Sequence, residues 1–106
     1  MAMDLNKLMK QAQEMQAQMA KAQEELRNEI VEASAGGGMV TVKATGGLEI
    51  VEVKIAKDAI DPEDPDLLAD MVLAAVNEAL RSAQSLAESK LGSAMGGLQG
   101  LGLPGL

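Results

Sequence analysis

The first 26 residues place apolar side chains alternately three and four positions apart, the heptad pattern of a helix that pairs with another helix. Such a helix of about 22 residues would be roughly 33 Å long. The remainder of a 106-residue chain offers too little surface to cover a stripe of that length. We therefore expect this helix to face a partner, either a second copy or another protein. The seam comprises Leu5, Leu8, Ala12, Met15, Met19, Ala22 and Leu26.

The pattern predicts that this helix runs from about Asp4, a suitable N-cap, to about Asn28. Three strands are predicted next, over residues 30–35, 39–45 and 48–56, and the second alternates cleanly between apolar and polar positions. In the third strand the apolar positions change parity at Ile50 and Val51. This change indicates a bulge or bend there, or a strand start that is covered on both faces.

Glycines separate these strands at residues 36–38 and 46–47. A phosphate-binding glycine loop lies between a strand and a following helix, whereas a strand follows both of these clusters. They are better explained as hairpin turns whose backbone needs a positive φ.

A second helix is predicted over residues 65–91, after an acidic segment that contains Asp61-Pro62 and Asp64-Pro65. Both pairs match an N-cap followed by proline at the first helical position. Five glycines lie between Gly92 and Gly102, and Pro104 follows them. We therefore expect one domain over residues 1–91 and a flexible tail over 92–106, with docking of the tail leucines on a partner as the alternative. The helix stripe suited to packing on a sheet comprises Leu68, Met71, Val72, Ala75, Ala79, Ala83 and Leu86.

The composition narrows the range of functions. The chain lacks Phe, Tyr, Trp, Cys and His, which leaves no aromatic platform for a base, no zinc site and no histidine-dependent catalysis. The acidic segment also lacks the alternating oxygen ligands and the glycine of a calcium loop. We therefore predict a non-enzymatic protein without a metal, cofactor or small-molecule substrate. No apolar run is long enough to span a membrane and no signal-peptide core is present, so we expect a soluble cytoplasmic protein.

Sixteen acidic and nine basic residues give a net charge of -7, which by itself argues against binding to nucleic acid. The charges are unevenly distributed, however, because five of the acids lie within residues 58–66. On the first helix Lys7, Lys10 and Lys21 fall within a sector of about 60°, opposite the apolar seam. From charge alone, the simplest interpretation of these lysines is a solvated face.

Segments spread over the whole chain resemble the YbaB/EbfC nucleoid-associated proteins of bacteria. They are LNKLMKQAQEMQAQM, GGGMVTVKATG, VEVKIAKDAIDPED and LLADMVLAAVNEALRSA, followed by the Gly/Pro/Leu tail. The resemblance implies an α+β protomer of order α-β-β-β-α and an intertwined homodimer, in which strands of two chains form joint sheets and paired helices project like tweezer arms. It further implies that the protein binds duplex DNA with loose sequence preference. The role implied is in the organisation of the nucleoid or in gene regulation.

The family's DNA contacts lie broadly on its projecting helices. The resemblance therefore implies that the basic residues on the two helices of this chain contact DNA. Contact of such residues with phosphates gives affinity without sequence information. A dimeric adaptor that captures another protein is the alternative, which the acidic segment and the Ala/Met-rich seam favour. The candidate nucleic-acid-binding residues are Lys7, Lys10, Lys21, Arg27, Arg81 and Lys90.

Overall fold

Two long helices and a three-stranded antiparallel sheet make up the protein, in a computed structural model that describes residues 4–99 and the side chains through residue 94. The sheet order is β1-β2-β3, so both β1 and β3 are edge strands. This arrangement confirms the predicted α-β-β-β-α order. The elements are α1 (Leu5–Asn28), β1 (Ile30–Ala35), β2 (Val40–Thr45), β3 (Ile50–Ile55), a short 3-10 helix (Lys57–Ala59) and α2 (Pro65–Gln99).

The core lies between α2 and one face of the sheet, which we call the inner face. On β2, Val40 and Val42 point to this face and are fully buried. They meet the predicted apolar stripe of α2, whose small side chains let the helix lie close to the strands. The most deeply buried positions of that stripe are Ala75, Ala79 and Ala83.

A β-bulge in β3 explains the change of parity in the sequence. Lys43 pairs with Glu52, but the next residue of β2, Ala44, pairs with Ile50, which leaves Val51 as the extra residue. The bulge therefore turns Ile50 to the inner face, where it packs against the core. The predicted irregularity at Ile50 and Val51 is confirmed.

Aspartates cap both helices as predicted. The side chain of Asp4 accepts a hydrogen bond from the backbone N–H of Lys7 at 3.2 Å, and that of Asp64 accepts one from Leu67 at 3.3 Å. Asp61 instead accepts from the N–H of Glu63 at 2.9 Å and holds a turn that precedes α2. Only the second Asp-Pro pair therefore begins a long helix.

The two glycine clusters have different roles. Gly36, Gly37 and Gly38 all have positive φ, as predicted for the β1–β2 turn. The prediction is wrong for residues 46–47, because the positive φ of the β2–β3 turn, 65°, belongs to Leu48. Gly46 is needed for space: a Cβ there would lie 2.7 Å from Cδ2 of Leu26 and 2.8 Å from its carbonyl oxygen.

The predicted end of the second helix at Leu91 is wrong, since α2 continues to Gln99. Gly92 weakens a helix by about 1 kcal/mol relative to alanine but does not forbid it. Ser93 and Ala94 line a groove beside α1, so the contact between the helices extends beyond Leu91. Residues 100–106 of the predicted tail lie outside the described residues. Over residues 4–99, neither helix is apolar enough over a sufficient length to cross a membrane.

Gly46→Ala is expected to lower the free energy of unfolding by about 1–3 kcal/mol, because the added methyl group meets a backbone carbonyl that cannot move aside. Gly92→Ala is the matched control: open space surrounds that position, and alanine favours a helix, so we expect a gain of about 0.5–1 kcal/mol. Urea denaturation measures both changes. Equal stability of the two variants would contradict the close approach of α1 to the β2–β3 turn.

Candidate nucleic-acid interface

The first half of α1 stands clear of the rest of the described chain. Leu5 and Met9 are 66% and 61% exposed, and Leu8 and Ala12 are exposed as well. Farther along the predicted seam, Met15 and Met19 are half-buried, and only Ala22 and Leu26 are buried. The described chain thus leaves the first three of the seven seam positions uncovered and buries the last two. We call residues 5–14 of α1, which precede the first half-buried methionine, the arm.

Two of the candidate lysines lie on the arm. Lys7 and Lys10 are exposed, and no carboxylate within residues 4–99 forms an ion pair with either of them. Lys21 is exposed too, but it lies nearer the body of the protein, at the groove between α1 and α2. Glu14 is exposed on the same side of the helix as these lysines. The arm therefore presents cationic groups that are available to an anionic ligand.

The two candidate arginines lie elsewhere. Arg27, in the last turn of α1, is exposed, and its side-chain stem lies near Gly47 of the β2–β3 turn. On α2, Arg81 donates from Nε and Nη2 to Oε2 of Glu78, at 3.1 and 2.9 Å. Both of these side chains are exposed, so the pair contributes little stability but reduces the positive charge that Arg81 presents.

Lys90 connects the two helices. Its Nζ lies 2.8 Å from Oε2 of Glu25 and donates to Oε1 of Glu29 at 3.1 Å. The contact with Lys90 lowers the pKa of Glu25, and the contacts with Glu25 and then Glu29 raise the pKa of Lys90. The charge of Lys90 is therefore compensated within the protein, unlike the charges of Lys7 and Lys10.

The structure thus divides the six candidate basic residues instead of collecting them in one patch. The sequence contained part of the signal for the Lys90 cluster, because Glu25 and Glu29 are spaced by one helical turn. Their partner lies 61 residues from Glu29 in the chain, a separation that no local pattern reveals.

A second uncovered surface, which the sequence pattern did not indicate, lies on β3. Val53 and Ile55 pair with buried residues of β2 and face the same side of the sheet, yet they are 45% and 39% exposed. Val51, at the bulge, is exposed as well. Because α2 packs mainly over β1 and β2, the inner face of β3 and its hydrogen-bonding edge remain uncovered in the described chain. The alternation of the strand predicted an apolar face but could not show which neighbours cover it.

Among the side chains that the structure describes, no group of three acidic residues comes close enough to hold a metal ion. On the outer face of the sheet Lys43 and Glu52 form a cross-strand ion pair at 3.6 Å.

Comparison with known proteins gives a consistent result. A sequence model of the YbaB/EbfC DNA-binding family matches residues 1–98. A nucleoid-associated protein of Ruminiclostridium cellulolyticum is 50% identical over 103 residues, which cover 97% of this chain and 88% of that protein. One from Pelotomaculum thermopropionicum is also 50% identical, covering 97% and 95% of the two chains. The crystal structure of an uncharacterized protein from Helicobacter pylori superimposes with a TM-score of 0.73 at 24% identity, over 92% of this chain and 99% of that one, which supports the fold.

The contact between Glu25 and Lys90 predicts that the protein loses stability in acid. Because the pKa of Glu25 is lowered by folding, its carboxylate stabilises the fold at neutral pH, and this contribution disappears as pH falls through the lowered pKa. Lys90 has the opposite effect in alkali. Because its pKa is raised, its charged amine stabilises the fold at neutral pH, and this contribution is lost as pH rises through the raised pKa.

Glu25→Gln is therefore expected to reduce the difference between the unfolding free energies measured in urea at about pH 7 and about pH 3. Glu24→Gln, at the neighbouring exposed position, serves as the control and should keep the difference of the unmodified chain. An equal difference in all three proteins would contradict a stabilising role for the Glu25–Lys90 contact.

Proposed function

The chain belongs to the YbaB/EbfC DNA-binding family, and we propose that it acts at the nucleoid as a non-enzymatic homodimer that binds duplex DNA through lysines on projecting arms. The observation that carries this proposal is the arm itself, which stands free and presents Lys7 and Lys10 without intramolecular partners among the described residues. Lysine ammonium groups bind the phosphate backbone as point charges.

Binding of this kind gives little sequence specificity. Phosphates are the same at every base pair, and base readout needs side chains that reach the base edges in a groove. The arm offers lysines, glutamines and a methionine but no arginine, the side chain that most often reads guanine. We therefore expect similar affinity for unrelated duplexes, as suits a protein that organises DNA over long stretches.

The net charge of -7 is compatible with this role because the charges are separated along the molecule. The acidic segment precedes the N-terminus of α2, and about 25 residues of helix, roughly 37 Å, separate that end from Lys90. Beyond Lys90, the arm continues away from the acidic segment, since Ser93 and Ala94 of α2 lie beside Gln18 and Lys21 of α1. This separation exceeds the Debye length of about 10 Å at 0.1 M salt.

The partner that we propose for β3 is a second copy of the chain. An exposed edge strand with apolar side chains invites pairing, and a symmetric dimer needs a surface that complements itself. Antiparallel pairing of two β3 strands about an axis at Val53 would bring Glu52 of each chain opposite Lys54 of the partner subunit. Opposite charges facing each other across a strand pair are favourable. Such a dimer would also cover Val53 and Ile55 and carry two arms.

Lys7→Gln/Lys10→Gln is expected to weaken binding to unrelated duplexes by about tenfold or more at about 50 mM salt. The slope of log affinity against log salt should also decrease, by about 0.9 for each lysine that contacts a phosphate. Lys43→Gln/Lys57→Gln removes the same charge away from the arm and is the control, to be compared by fluorescence anisotropy. An equal loss in both variants would mean that only net charge matters, and loss for one sequence alone would contradict phosphate recognition.

Val53→Asp is expected to convert the dimer to monomers at micromolar concentration, because it places a charge at the centre of the proposed strand pair. Ser34→Asp adds the same charge at an exposed position of β1 and should leave the dimer intact. Sedimentation equilibrium distinguishes the two states. A dimeric Val53→Asp protein would refute β3 as the interface.

A further inference from the structure

Lys90 lies between two carboxylates at the junction of α1 and β1. Glu25 belongs to the last turn of α1, and Glu29 is the residue between that helix and the first strand. The Nζ of Lys90 contacts both, at 2.8 and 3.1 Å, and is only partly exposed. A cation at this end of α1 is also favoured by the helix dipole. One ammonium group of α2 thus holds the point from which α1 leaves the sheet.

The two carboxylates depend on this ammonium group. They lie one helical turn apart on the same face, so without Lys90 they would repel each other. Oε2 of Glu29 is buried and has no hydrogen-bond partner among the described residues. The Glu29 side chain as a whole is 42% exposed, but without Lys90 its carboxylate would face that of Glu25 with no cation between them, so removal of Lys90 should favour a shift of the end of α1.

The contacts that bury side chains of α1 lie within its last two turns, although Gln18 and Lys21 also line an open groove beside Ser93 and Ala94 of α2. Ala22 and Leu26 are its only buried residues, and Leu26 lies against Gly46. An apolar contact of this size holds the end of a helix in place, but a second contact on another side is needed to set the direction of its axis. Lys90 supplies that contact from α2.

The direction of the axis matters because the arm is a long lever. Lys10 and Lys7 lie about 22 and 27 Å along the helix from Glu25. A rotation of about 10° at the junction would move them by roughly 4–5 Å, more than the rise of about 3.4 Å between successive phosphates of one DNA strand. Such a rotation would take both lysines out of register with the phosphates.

We propose that Lys90 is a positioning residue for DNA binding, which bridges Glu25 and Glu29 to set the direction of the arm and makes no phosphate contact of its own. This inference rests on the proposed function of the arm. It assigns Lys90 to a different role from Lys7 and Lys10, although all three are lysines on the two helices.

The carboxylates distinguish positioning from direct contact. If Lys90 bound phosphate, Glu25→Gln/Glu29→Gln would release it and strengthen binding to a duplex. If Lys90 positions the arm, the same variant should bind about threefold or more weakly than Glu24→Gln/Glu63→Gln, which removes equal charge at exposed positions. Binding as tight as that of this control, or tighter, would overturn the proposal.

The direction of the arm can be measured directly because the chain contains no cysteine. Spin labels at Gln13→Cys and Ser34→Cys, both exposed positions, report the distance from the arm to the sheet by pulsed electron resonance. Unlabelled chains in excess keep one labelled chain in each dimer. We expect Lys90→Gln to broaden or shift the distribution of this distance and to weaken DNA binding. Lys90→Arg should restore both the distance distribution and the affinity for DNA.

An unchanged distance in Lys90→Gln would overturn the positioning role whatever its DNA affinity. Failure of the proposed function gives a different result, in which Lys7→Gln/Lys10→Gln binds DNA as well as the unmodified chain does. In that case a shift of the spin-label distance would still show that Lys90 directs the arm, but the link from Lys90 to DNA binding would be refuted.

Discussion

The anchoring of α1 by its last two turns is the constraint on which the rest of the structure depends. Leu26 can reach the β2–β3 turn only because Gly46 has no side chain, and Ala22 is small enough to lie within the contact between the helices. So short an anchor buries little apolar surface, and it leaves most of a 24-residue helix outside the body. The free arm follows from this limited contact.

The core between α2 and the sheet likewise leaves part of the structure uncovered. Ala75, Ala79 and Ala83 bring α2 close to β1 and β2, where Val40 and Val42 are fully buried. α2 packs mainly over these two strands and meets β3 at few positions. Val53 and Ile55 on the inner face of β3 therefore remain exposed in the described chain.

Much of this fold could be predicted from local patterns. The caps at Asp4 and Asp64 and the bulge at Val51 depend on residues within a few positions of one another, and the structure contains all three. The predictions for the β2–β3 turn and for the end of α2 were wrong because contacts between residues distant in the sequence decide both. Gly46 is required by a helix 20 residues earlier in the chain, and α2 passes through Gly92 while it remains beside α1.

The sequence by itself determined the order of the elements and the family, because periodicity and capping depend on residues only a few positions apart. Tertiary structure alone decided which basic groups are available. Lys7 and Lys90 are chemically the same, but two carboxylates from 61 and 65 positions away compensate the ammonium of Lys90. The ammonium of Lys7 has no ion-pair partner in the described part of the chain. Charge compensation depends on distance in space, which the spacing of residues along the chain does not contain.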